Sequence, residues 1–231
     1  MHLYLAVGLA TLVGAGLAGA AGGETIDCPG IPVQVASGSL EDRALVCDGA
    51  ARAVAFLRTN GLRIKDTIRI QLRPFAMASN ASHIGTYDPA TKAIELLTYD
   101  QTQLQTTQEP PFDIPMDKRL YTSFATHEVA HAIAHQYAVD GRAAYLGHEY
   151  LAYVTQITTM DRATQDAVLQ RFRLEGFADA DQMSFTYYAL DPSAFAIKAY
   201  RHYLTLDDPR AFLADLLSGA IRPGRARREL W

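Results

Sequence analysis

The chain has 231 residues, is 49% hydrophobic and carries a formal net charge of −4. That apolar content suits one compact domain with a proper core and excludes a disordered chain. The mild acidity leaves no electrostatic footprint for nucleic acid, so no nucleic-acid partner is expected, and the short basic stretch from Arg222 to Arg228 reads as solvated charge.

The N-terminus opens with an apolar, Ala/Gly-rich run over residues 3–17, followed by Ala18-Gly19-Ala20. This is the small-x-small pattern of a secretory signal peptide over residues 1–20, with a mature chain starting at Ala21. The expected location is periplasmic or secreted, with no stable membrane association after cleavage. Because no Lys or Arg precedes the run, an uncleaved anchor is the alternative; its length approaches the roughly 20 residues that span a bilayer. Cys28 and Cys47 are the two cysteines, nineteen positions apart, and an exported chain would join them in one bridge. Such a bridge ties the N-terminal segment to the first helix and adds about 3 kcal/mol through the unfolded state. With no second pair, neither cysteine reads as a metal ligand.

Residues 31–36 form a short apolar run compatible with a strand, and Ser39 then N-caps a helix whose acidic first turn contains Asp42. Asn60-Gly61 ends that helix. Residues 67–73 alternate, with Ile68, Ile70 and Leu72 on one face, which predicts a half-buried strand. Residues 84–87 and 93–97 flank Asp88-Pro89-Ala90-Thr91-Lys92, whose turn chemistry predicts a hairpin. Residues 101–116, with Pro110, Pro111 and Pro115, are expected to be an exposed loop. From about Asp117 the pattern is helical. Asp140-Gly141 reads as a helix stop, Asp191-Pro192 and Asp208-Pro209 as two helix starts, and Gly219 as the end of the last helix. The class is therefore α+β, in one domain over residues 21–231: an α/β lobe over about 21–116 and a helical lobe over about 117–231.

The densest chemistry lies in His127-Glu128-Val129-Ala130-His131, an HExxH run. Residues four apart on a helix stack on one face about 5–6 Å apart, so both imidazoles can reach one zinc ion at about 2.0–2.1 Å. Glu128 lies about 100° round the helix, where it flanks the ion and is left free to act on water. The surrounding helix is apolar nearly all round and carries Ala125, Ala130, Ala132, Ala134 and Ala138, so it should be buried, with its polar groups in need of partners.

A catalytic zinc site needs a third protein ligand. Ala134 and Tyr137 stand where the HExxHxxGxxH pattern requires Gly and His, which excludes that class. His135 lies a turn too far and should bond locally. The remaining candidates are His148, Glu149 and Glu175, the last in a Glu175-Gly176-Phe177-Ala178 context. Glu149, eighteen residues after His131 on a second helical stretch, makes the pattern resemble the gluzincin group of zincin metallopeptidases. The resemblance covers residues 66–160 and implies His127, His131 and Glu149 as zinc ligands and Glu128 as general base. It also implies a small zincin-like fold: an N-terminal helix, a small sheet with an edge hairpin, the ligand helices and a helical C-terminal lobe. The chain departs from the pattern at Tyr153, where thermolysin-like members have a histidine-orienting aspartate. Tyr153 and Gln156 share a helix face with Glu149, and one or the other is expected to orient its carboxylate.

The expected function is extracytoplasmic hydrolysis of a peptide or protein substrate. An oxyanion donor would come from Tyr145, Tyr150, Tyr187, Tyr188 or His202. The alternative is a non-catalytic zincin-like protein that binds zinc or envelope partners, and Glu128 argues against it because a structural zinc site has no use for a general base.

Overall fold

A computed structural model describes residues 24–75, 83–138 and 145–224. The proposed signal peptide, Asp140-Gly141 and the tail beyond Gly224 lie outside the described residues. Five strands form one mixed sheet: β1 (Thr25–Asp27), β2 (Val33–Ala36), β3 (Ile68–Arg73), β4 (Gly85–Asp88) and β5 (Ala93–Leu97), in the spatial order β1-β2-β3-β5-β4. β2, β3 and β5 run parallel, and the two outer strands pair antiparallel to them. A parallel pair needs a long crossover. Helix α1 (Leu40–Thr59) supplies it between β2 and β3, entered through a capping box in which Ser39 and Asp42 bond each other's backbone and left at Asn60. As the alternation predicts, Ile68, Ile70 and Leu72 point into the core.

Cys28 and Cys47 are joined in a disulfide that fastens the segment between β1 and β2 to α1. The strand expected over 31–36 begins at Val33, and β1, which sequence patterning missed, pairs along it. β1 is three residues of mostly exposed side chains, too short to show a period.

Residues 101–116 are an exposed loop only in part. Helix α2 (Tyr99–Gln105) and a 3₁₀ turn over Pro111–Asp113 take up half of the span, and Thr102, Thr106, Phe112 and Met116 are buried, while residues 107–109 remain exposed outside any helix. The helix escaped detection because two of its buried contacts are threonines. Their hydroxyls donate back to Thr98 O and Thr102 O at 2.9 and 2.8 Å, which lets polar residues enter a core without aliphatic periodicity. Pro111 opens the 3₁₀ turn, where its missing N–H costs nothing.

The helical half comprises α3 (Lys118–His135), α4 (Tyr145–Thr159), α5 (Arg162–Arg171), α6 (Phe185–Leu190), α7 (Pro192–Tyr203) and α8 (Pro209–Ser218). Asp117, Asp161, Ser184, Asp191 and Asp208 each accept a backbone N–H at a helix start, and Gly219 closes α8 with φ of 75°. One continuous buried cluster runs from the sheet through α3 into α4 and α7. α3 lies at its centre, buried as its composition predicts. It packs tightly against α1: a Cβ on Gly49 would sit 2.4 Å from Thr122 O and 2.9 Å from Ala125 Cβ.

Candidate metal centre

Helix α3 presents His127 and His131 one turn apart toward α4, and α4 presents Glu149 back toward them. The donor atoms of the three lie within 4.8 Å of one another, so the group could hold a metal ion. The two Nε2 atoms are 3.0 Å apart, and Glu149 oxygens lie 3.7 Å from His127 Nε2 and 3.6 Å from His131 Nε2. Glu149 Oε2 is buried with no hydrogen-bond partner. Among the described residues this is the one group of three or more His, Cys, Asp or Glu side chains so arranged.

The surroundings set the charge states. Burial pulls the His127 imidazole down to about 4, partly opposed by its bond to Gln156, and burial with two neighbouring histidines pulls His131 well below its ordinary value. Both rings are thus neutral near pH 7, the form that donates to a metal. Burial raises the Glu149 carboxyl to about 7, against hydrogen bonds from Tyr145 and Tyr188. With neutral imidazoles the contacts to Glu149 are not ion pairs, and a buried carboxylate without a cation is costly.

Glu128 stands beside the group and is not part of it. Burial, reinforced by the negative charge of Glu149, pushes its carboxyl up to about 8, while the backbone N–H of Tyr87 on β4 bonds to it. Gly85 makes this approach possible: a Cβ there would lie 2.7 Å from Glu128 Cγ. Sequence reading missed both Gly85 and Tyr87, since nothing local ties the hairpin to α3.

The expected supporting roles need correction. Gln156 and Tyr153 serve His127, not Glu149. Gln156 Oε1 is 3.1 Å from His127 Nδ1, and the Tyr153 ring packs edge-on against the His127 ring at 4.5 Å between centroids. The carboxylate is instead met by the hydroxyls of Tyr145 and Tyr188, which stand 3.2 Å from each other. Glu149 sits one turn before Tyr153 on α4, and what lies opposite each is set by the packing of α3 and not by their common helix face.

The other candidates lie apart. His135 meets the Tyr87 hydroxyl at 3.1 Å, a local bond as expected. His148 stacks on His131 at 6.5 Å without joining the group. Glu175 is exposed, in a segment outside any helix, and its carbonyl accepts from Lys198 Nζ. Among the oxyanion candidates, Tyr150 and His202 bond each other at 2.7 Å in the core and Tyr187 packs on Phe177, which leaves Tyr145 and Tyr188 at the site.

A family model described as a family of unknown function, DUF6639, matches residues 33–226, a span that includes every residue of this centre. The chain belongs to the DUF6639 family. Searches of curated proteins and of solved structures find no match. In this DUF6639 protein the matched span brings His127, Glu128, His131 and Glu149 together from α3 and α4.

Proposed function

We propose that this protein is a zinc-dependent metallopeptidase of gluzincin type that works outside the cytoplasm. The observation that carries the reading is the pairing of a two-histidine, one-carboxylate donor group with Glu128, a buried acid beside it that takes no part in the donor set. The donors fit the ion. Bonds of about 2.0–2.1 Å in a tetrahedron place ligand atoms roughly 3.3–3.4 Å apart; the two Nε2 atoms are 3.0 Å apart, and each has a different Glu149 oxygen near it, Oε2 at 3.7 Å from His127 and Oε1 at 3.6 Å from His131. The partnerless Glu149 Oε2 is a buried acceptor that a cation would satisfy. Two imidazoles and one carboxylate suit zinc better than magnesium or calcium, which prefer all-oxygen sites.

His127, His131 and Glu149 would hold the ion. When bound there, zinc supplies Lewis acidity, polarising a peptide carbonyl and lowering the pKa of water. Glu128 takes the proton from the attacking water and returns it to the leaving amine, a role that needs a carboxyl able to carry a proton near neutral pH. Burial raises it toward that range. The Tyr87 N–H keeps the carboxylate aimed.

The substrate strand would lie along β4. Leu97 N donates to Ile84 O, so residues 84, 86 and 88 pair with β5, and the polar backbone groups of Gly85 and Tyr87 face away from it. Because Glu128 occupies the Tyr87 N–H, Gly85 is the free backbone anchor nearest the base, and a peptide pairing there passes directly beside the centre. The Cys28–Cys47 bridge supports an oxidising compartment, periplasmic or external, and no helix among the described residues is long and apolar enough to cross a membrane.

The test is to load purified protein with zinc, incubate it with a broad peptide library, and identify products by mass spectrometry with a chelated control. New termini that vanish on chelation support the proposal. Full zinc occupancy with no cleavage of any library member would hand the site to the non-catalytic alternative.

A further inference from the structure

Helices α3 and α4 are linked by an unbroken row of hydrogen bonds that leads away from the metal group and ends on a backbone carbonyl. Ser123 Oγ lies 2.7 Å from Leu120 O, Gln156 Nε2 lies 3.0 Å from Ser123 Oγ, and Gln156 Oε1 lies 3.1 Å from His127 Nδ1. Gln156 and Ser123 are 0% and 3% exposed, so water does not substitute for any partner.

We propose that this row is a one-way relay that commits the His127 proton to Nδ1 and so presets its Nε2 for a metal. A carbonyl oxygen only accepts, so Leu120 O takes the single hydroxyl hydrogen of Ser123. The Ser123 oxygen is left as an acceptor, and the end of Gln156 facing it must be the amide NH₂. The carbonyl end of Gln156 therefore faces His127, and His127 Nδ1 must carry its hydrogen to meet it. In the neutral ring Nε2 is then a bare lone pair aimed into the group. That lone pair is what a metal would take, and the row holds it ready without any help from a charged partner.

Gln156 is a positioning residue, acting on the metal only through His127, and its support is a neutral amide where a carboxylate would add charge. The inference rests on the proposed metal site, but its first readout does not. Long-range ¹H–¹⁵N spectra of chelated protein at mildly alkaline pH should show His127 as the Nδ1–H tautomer. Zinc titration should shift its Nε2 resonance and leave that tautomer unchanged. An Nε2–H tautomer at His127 in the chelated protein would overturn the relay. Gln156→Leu removes the acceptor and should weaken zinc binding by roughly 10–100-fold, the usual worth of such a partner. Gln156→Glu restores the acceptor and should recover most of that loss. Wild-type affinity in Gln156→Leu would also overturn the proposal. If the His127 tautomer is as stated and wild type binds no zinc, the relay stands and the metal reading fails.

Discussion

Helix α3 has two unlike sides, and the difference shows how a small protein holds a polar site still. Toward α1 it is dry and close: Ala125 and Thr122 meet Gly49 with no room for a Cβ, and Thr126 Oγ1 donates to Gly49 O at 3.0 Å. Toward α4 it carries Ser123, His127 and His131, a polar row in which nearly every group is paired across the interface. Burying that row is unfavourable unless each partner is in register. The tight side fixes where α3 lies, and so fixes the register on the other. Ala and Gly at the α1 contact therefore bear on the chemistry even though none of them touches it.

The largest effect should come from emptying the polar side. His127→Ala with His131→Ala should abolish zinc binding and remove the stabilisation zinc gives, about 4 kcal/mol at a thousandfold excess over Kd. Metal analysis together with thermal melts, with and without zinc, reads both. Stoichiometric zinc in the double mutant would refute the site. Glu149→Ala should weaken binding far more than Glu175→Ala, because only Glu149 faces the histidines.

Next in size is Glu128→Gln. It keeps the shape that Gly85 accommodates and leaves the three donors alone, so zinc content and melting temperature should hold. Peptide hydrolysis should fall by about 10²–10⁴. Unchanged rates would remove Glu128 from the mechanism.

Reducing the Cys28–Cys47 bridge should cost about 3 kcal/mol in denaturant titrations, the loop-entropy value for a closed segment of this size. Zinc affinity should be untouched, since the bridge ties α1 to the segment between β1 and β2 and not to α3. A parallel fall in affinity would show the two sides of α3 to be more strongly coupled than their geometry suggests.

Gly49→Ala probes the tight side itself. Forcing a methyl against Thr122 O should cost about 1–3 kcal/mol, as overpacking commonly does. If register passes through α3 as argued, a modest loss of zinc affinity accompanies it. Destabilisation with no change in affinity would separate the two sides.

Some features were legible because they are local. The capping box at Ser39, the Asp-Pro helix starts, the alternation of Ile68, Ile70 and Leu72 and the hairpin each rest on neighbours within a few residues, and each appears where its chemistry puts it, give or take one residue at the ends. Helix α2 was illegible for a related reason. Its one buried residue is Thr102 and its buried C-cap is Thr106, and each hydroxyl donates to a carbonyl one turn back, at Thr98 and Thr102.

The sequence by itself determined that two imidazoles would share one helix face and that Glu128 would stand aside from them, because a helical turn imposes that spacing whatever surrounds it. It also determined the cysteine pair, there being no other choice. Only the tertiary structure decided that Glu149 faces the histidines while Glu175 points to solvent, that Gln156 serves His127, and that Gly85 and Tyr87 come against Glu128. Those pairings join residues from 18 to 43 positions apart in the chain. They exist because α1, α4 and the hairpin pack on different sides of α3, and packing of that kind is a property of the whole core that no spacing within one segment encodes.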